Sequence, residues 1–293
     1  MTMRAVSVLA VSMVLVGGCE TEVEPGTDAG RVDGGVATTD TGGGADTGGG
    51  GTRSAGCGMS SALEEEAFVS QSLSGDRTYF VRLPAGYDPS RAYPIVYQLH
   101  GCSDSATRED NNVSVHNESG ADAIHVRGRA ASNCWETATD GPDVPYFDAM
   151  VAAVESDLCV DTTRRFLAGY SSGSFMTHRL ACIRGDMLRG VASIAGGQSG
   201  RDCAGNVAAL LIHDRDDGTV NISASEGTRD NHAMRNGCDL EAARTPTDHP
   251  PCEAFVGCEA GLPVVWCETS GMNHSRQDGL SAPIFWSFFQ SLL

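Results

Sequence analysis

The sequence predicts an α/β fold, a mostly parallel central sheet with helices on both faces. Three observations lead there. Short apolar runs of strand length alternate with amphipathic segments of helix length between residues 77 and 293. Two of those runs, YPIVYQL (93–99) and VAALLIH (207–213), are apolar almost throughout, as in strands buried on both faces. The stretch that carries them is about 240 residues long, the size of one large domain.

The elements follow in order. Residues 5–16 are apolar behind Arg4 and too few to span a bilayer, and Gly17 and Gly18 precede Cys19. This predicts a signal peptide over residues 1–19. LVGGC also resembles a bacterial lipobox, which would make Cys19 a lipidated N-terminus, with Glu20 favouring the outer membrane. Residues 20–54 are Gly, Thr, Asp and Ala with almost no large apolar side chain, so they read as a disordered linker with a reach of roughly 30 Å. The folded domain is expected over residues 55–293. Its strands are RTYFVRL (77–83), YPIVYQL (93–99), DAIHV (122–126), RRFLAG (164–169), GVASIAG (190–196), VAALLIH (207–213) and LPVVWCE (262–268). Helices are expected over residues 143–158, with Asp143 as N-cap, from Ser172 to Cys182, and over residues 282–293.

Composition narrows the function. The formal charge is −18 and every basic residue is Arg. Such a surface repels phosphate backbones, which excludes nucleic acid as a natural partner. There are 11 Cys, and setting Cys19 aside leaves ten, an even number suited to disulfides in an exported protein. His232, His249 and Cys252 lack metal-ligand spacing, so no metal and no cofactor are expected.

The chemistry centres on FLAGYSSGSFMTHRLAC, in which Ser171 occupies Gly-x-Ser-x-Gly. Composition alone yields about 0.4 such matches in a chain this rich in Gly and Ser, so the context must carry the motif. Here a strand precedes it and a helix follows, the setting in which a serine sits at a sharp turn above the sheet. Serine needs a base, and the base needs an acid to orient it. ALLIHDRDDGTV places Asp214, Asp216 and Asp217 just past a buried strand, and VVWCETSGMNHS places His274 in the loop after another. The order Ser, acid, His fits a nucleophile of this kind. YQLHGC supplies a strand-end loop where the Cys102 N–H, with that of Ser172, would bind an oxyanion. His178 and His213 read as structural, while His100 and Trp135 are weaker candidates for substrate contact.

Taken together, RTYFVRLPAGYDPSRAYPIVYQLHGC, NCW, CVDTTRRFLAGYSSGSFMTHRLAC, LIHDRDDGTV and GLPVVWCETSGMNHS resemble the exported α/β-hydrolases related to polyhydroxybutyrate depolymerases and feruloyl esterases. The resemblance implies a disulfide-stapled α/β-hydrolase fold with Ser171 as nucleophile, His274 as base and Asp217 as acid. It departs at Asp214, where the family usually has Gly, and after His274, where Trp-Pro is missing. It implies a lipid-anchored or secreted serine esterase acting on a polymeric ester, feruloyl or acetyl esters of xylan first. A polyhydroxybutyrate depolymerase is the alternative, and a surface binding module that has lost catalysis is the alternative of another class.

One disulfide is expected from geometry. Cys159 precedes the strand RRFLAG and Cys182 ends the helix after Ser171. Five strand residues climb about 17 Å and ten or eleven helical residues descend about as far, which predicts a Cys159–Cys182 bridge.

Overall fold

The structure, a computed structural model, describes residues 53–103, 111–197 and 203–293. The signal peptide, Cys19 and all but the end of the expected linker lie outside those residues. Arg53 and Ser54, which composition assigns to the linker, already belong to the fold. The Ser54 N–H donates to Val160 O at 3.0 Å, and the Val160 N–H donates to Ser54 Oγ at 2.7 Å. Backbone pairing of this kind leaves no trace in hydropathy.

In chain order the strands are β1 (Val69–Ser72), β2 (Thr78–Arg82), β3 (Tyr93–Leu99), β4 (Ile124–Arg127), β5 (Val160–Tyr170), β6 (Gly190–Ile194), β7 (Ala208–Asp214), β8 (Thr245–Pro246), β9 (Cys252–Ala254) and β10 (Val264–Thr269). The helices are α1 (His116–Ser119), α2 (Asp143–Asp157), α3 (Ser172–Ile183), α4 (Ile222–Arg235) and α5 (Asp278–Gln290). The strands form one sheet in the order β1-β2-β4-β3-β5-β6-β7-β10-β9-β8. The six from β4 to β10 run parallel, and both flanks are antiparallel.

Period-two alternation divides each central strand between two cores. Ile95, Tyr97, Leu99 and Leu167 face one way, onto Phe147, Met150 and Val154 of α2 and Met176 and Leu180 of α3. Val96, Phe166, Ile194 and Ile212 face the other way, onto Ile284, Phe285 and Phe289 of α5. Phe166 and Phe289 stack there with ring centroids 4.6 Å apart. All seven residues of β3 are buried, as its unbroken apolar run requires. The sheet is thus covered on both faces, the α/β-hydrolase arrangement.

Two local expectations are corrected. Asp143 is not the N-cap of α2, because Pro142 holds that place. Its carboxylate is taken instead by the Ala131 and Glu136 N–H groups and by Arg77, so it ties the loop before the helix. Nor do Cys159 and Cys182 pair. The bridges are Cys57–Cys159, Cys102–Cys134, Cys182–Cys203, Cys238–Cys258 and Cys252–Cys267. β5 has 11 residues where RRFLAG suggests six, with a bulge opposite Tyr93–Ile95. At roughly 3.3 Å per residue it climbs far more than the roughly 18 Å that the 12-residue α3 descends. Cys182 therefore stops above the level of Cys159.

Candidate active site

β5 rises between β3 and β6 and delivers the chain to Ser171 at the carboxyl edge of the sheet. There φ is 51° and ψ −117°, a conformation costly for any residue with a Cβ. The neighbouring backbone holds it: the Ser171 N–H donates to Ile194 O at 3.0 Å, and Ser171 O accepts from the Ser174 N–H at 2.9 Å. The motif glycines are there for space. A Cβ on Gly173 would lie 1.9 Å from Leu99 O, and one on Gly169 would lie 2.4 Å from Gly173 O. β3 and α3 approach each other that closely at the turn.

β7 and β10 lie side by side, with Asp214 opposite Thr269 at their ends. The turn after β7 carries Asp217 and the loop after β10 carries His274. The two meet over Ser171. His274 Nε2 is 3.0 Å from Ser171 Oγ, and His274 Nδ1 is 2.7 Å from Asp217 Oδ2. The other Asp217 oxygen accepts from the Thr219 and Val220 N–H groups at 2.8 and 2.9 Å. Burial pushes the Asp217 carboxyl up, but the Val220 N–H, His274 and the Thr219 N–H outweigh it and hold the group below its ordinary value. Asp217 is therefore an ionised acceptor facing an imidazole. Tyr170, which sequence reasoning missed although it adjoins Ser171, lays its ring 5.5 Å from that of His274. The other two acids take backbone N–H groups instead: Asp216 that of Gly271, Asp214 those of Met272 and Asn273.

The candidate oxyanion donors come from the residue after Ser171 and from the loop after β3. Ser172 is the first residue of α3, so its N–H has no intrahelical acceptor. Around Cys102, the Gly101 N–H donates to Asn111 O and the Ser103 N–H to Asn133 O. The Cys102–Cys134 bridge joins this loop to the next, and the Trp135 N–H donates to Ser172 Oγ at 2.8 Å. The two donor segments are thus tied together by a covalent and a hydrogen-bonded link.

His100 and Trp135, the weaker candidates for substrate contact, lie beneath the surface at the end of β3. Both are buried, at 0% and 6% exposure. The Trp135 ring N–H donates to His100 O at 2.9 Å, and His100 Nε2 accepts from the Ala130 N–H at 3.2 Å. Their polar atoms are committed to backbone, so they tie the 130–135 segment to the end of β3. His178 and His213 are buried and hydrogen-bonded, to Ser193 and Ser225 respectively.

No family model matches the chain. Among curated proteins it is 32% identical to feruloyl esterase C of Emericella nidulans over 263 residues, covering 85% of this chain and 95% of that one. It is 30% identical over 260 residues to feruloyl esterase D of Neurospora crassa, covering 80% and 89%. In solved structures the fold matches an acetyl xylan esterase from Aspergillus awamori with a TM-score of 0.60 at 15% identity, over 76% of this chain and 99% of that one. It also matches a ferulic acid esterase from Anaeromyces mucronatus, solved with ferulic acid, with a TM-score of 0.52 at 16% identity, over 80% and 94%. Near-complete coverage of the curated relatives at this identity, on the fold that these esterases share, places the chain in the feruloyl esterase family, as a carboxylic ester hydrolase.

Proposed function

We propose that the protein is a serine esterase that cleaves feruloyl or acetyl esters on plant polysaccharide, with Ser171, His274 and Asp217 as its catalytic triad. The observation that carries the assignment is the hydrogen-bonded line from Asp217 through His274 to Ser171. His274 Nε2 takes the Ser171 proton as Oγ attacks the ester carbonyl, and Asp217 accepts from Nδ1–H, fixing the tautomer that leaves Nε2 basic. The Cys102 and Ser172 N–H groups receive the charge that forms on the carbonyl oxygen. His274 then passes its proton to the departing alcohol. Water, activated by the same imidazole, frees the acid from the acyl-serine. The substrate class rests on the relatives, named for feruloyl ester cleavage.

Five disulfides in one chain belong to an exported protein. The fuller arrangement we propose is a signal peptide over residues 1–19, a lipid on Cys19 and a linker carrying the esterase domain from the membrane surface. The mass of the native N-terminal peptide tests it. An N-terminus elsewhere than Cys19, or an unmodified Cys19, would remove the anchor.

The decisive experiment pairs a fluorophosphonate probe with a substrate panel. The wild-type protein should label on Ser171 and hydrolyse methyl ferulate or acetylated xylan. Ser171→Ala should lose labelling and at least about 10⁴-fold in kcat. Clearing of polyhydroxybutyrate with no action on either plant ester would reverse the substrate assignment.

A further inference from the structure

We infer that Asp214 is a positioning residue that locks the turn bearing the acid to the loop bearing the base, so that one buried carboxylate sets the Asp217–His274 geometry. This rests on the reading of Asp217 and His274 given above.

Asp214 is the last residue of β7 and pairs across the sheet with Thr269, the last residue of β10. The two functional segments leave the sheet side by side from this point. The Asp214 side chain reaches both. One oxygen accepts from the Asp216 N–H at 3.0 Å and the Asn273 N–H at 3.1 Å. The other accepts from Thr269 Oγ1 at 2.8 Å and the Met272 N–H at 3.0 Å. Asp216 immediately precedes Asp217, and Met272 and Asn273 immediately precede His274. Beyond His274, Gln277 is drawn in as well, since its Nε2 donates to Thr269 Oγ1 at 2.9 Å. His274 is therefore bracketed on both sides by contacts that end at one carboxylate.

The chemistry requires a carboxylate there. Four donors converge on two oxygens, and an ionised Asp offers acceptors only. An Asn would turn its NH₂ toward two of those donors. The group is 1% exposed, so a donor left unpaired there could not turn to water. Asn273 has φ of 53°, a conformation that the Asp214 contact to its N–H helps to hold. Burial pushes the Asp214 carboxyl up, yet the Thr269 hydroxyl and the Met272, Asp216 and Asn273 N–H groups hold it below its ordinary value. This is also the position at which the sequence departs from the Gly usual in the family it resembles.

The test compares Asp214→Asn, Thr269→Val and Asp217→Asn. Displacing a catalytic base by about an ångström costs on the order of 100-fold in rate. Asp214→Asn should therefore lower kcat by roughly 10- to 100-fold with KM within about twofold, per active site counted by exhaustive fluorophosphonate labelling. The downfield proton NMR line of the His274–Asp217 hydrogen bond should shift or broaden. Thr269→Val removes one donor and keeps the charge. It should cost about threefold in kcat and keeps the inference testable if Asp214→Asn does not fold. Asp214→Asn with wild-type kcat and an unmoved proton line, at any melting temperature, would overturn the positioning role. So would unchanged kcat in Thr269→Val where Asp214→Asn cannot be purified. An inactive Asp214→Asn beside an active Asp217→Asn would overturn the triad reading itself.

Discussion

Asp216 and Asp217 are neighbours in sequence with opposite surroundings. Asp216 is exposed and accepts one N–H, that of Gly271. The Asp217 side chain is fully buried and bonded to His274. Asp217→Asn should lower kcat by about 10³- to 10⁴-fold, because the amide donates to Nδ1 and turns the imidazole to the wrong tautomer. Asp216→Asn should stay within about fivefold, since an exposed acceptor is replaceable by water. Steady-state kinetics on a p-nitrophenyl ester checks both, and equal losses would mean that the turn, not the acid, is being read. Ser171 and His274 were legible because a strand, a motif and a chain order converge on them. The acid was not fixed to the same degree. Three carboxylates within four residues satisfy the same order, and only the fold of the turn decides which one meets the ring. The burial of His100 and Trp135 is hidden from sequence for a related reason. Sequence reveals a polar tip on a large ring but not the backbone groups that claim it.

The turn between β5 and α3 works because Leu99, Gly169 and Gly173 bring their backbones too close together to admit a Cβ at either glycine. Gly173 faces β3, and any Cβ there meets Leu99 O at 1.9 Å. The obstacle is backbone in a buried parallel strand, so it cannot swing aside. Gly173→Ala should destabilise by at least about 3 kcal/mol, lowering Tm by roughly 6–12 °C or abolishing soluble expression. Gly218→Ala, on the turn bearing Asp217, meets nothing within 4 Å and should change Tm little. Scanning calorimetry of the two variants separates a packing constraint from a general intolerance of the site to alanine. The same contrast governs which elements were readable. β3, β7 and α2 announce themselves because burial on one or both faces imposes a period. α4 does not: residues 222–235 are largely polar, and the clearer mark is Asn221, whose side chain caps the Ser223 N–H at the helix start. The lower half of β5, Asp-Thr-Thr-Arg, was missed because it bulges at the sheet's lower edge, where no apolar alternation is required.

At the scale of the molecule, three buried histidines make stability depend on pH. His178 on α3 and His232 on α4 touch through Nδ1 and Nε2 at 3.1 Å, and both are buried, at 2% and 3% exposure. Burial, then its partner His232, pushes the His178 ring well below its ordinary value; burial, then Arg235, pushes His232 down to about 3. His125, on β4 and hydrogen-bonded to Ser119 of α1, is pushed down by burial and then by His116, Arg127 and Arg82. In the unfolded chain these rings take up protons near pH 6.5, while the folded protein keeps them neutral. The unfolded state then binds more protons below that point, so stability present above about pH 6.5 is lost as pH falls below it. Asp214 and Asp217, with lowered values, act in a separate window below about pH 4, which leaves pH 6.5 to 4.5 to the histidines. Melting temperature should therefore fall steadily across that interval. His232→Gln keeps a polar partner for His178 Nδ1 and removes one titrating ring, so its plot of melting temperature against pH should be flatter than that of the wild type. Parallel lines for the two proteins would show that acid acts elsewhere, and a steeper line for the variant would show that His232 is charged in the fold.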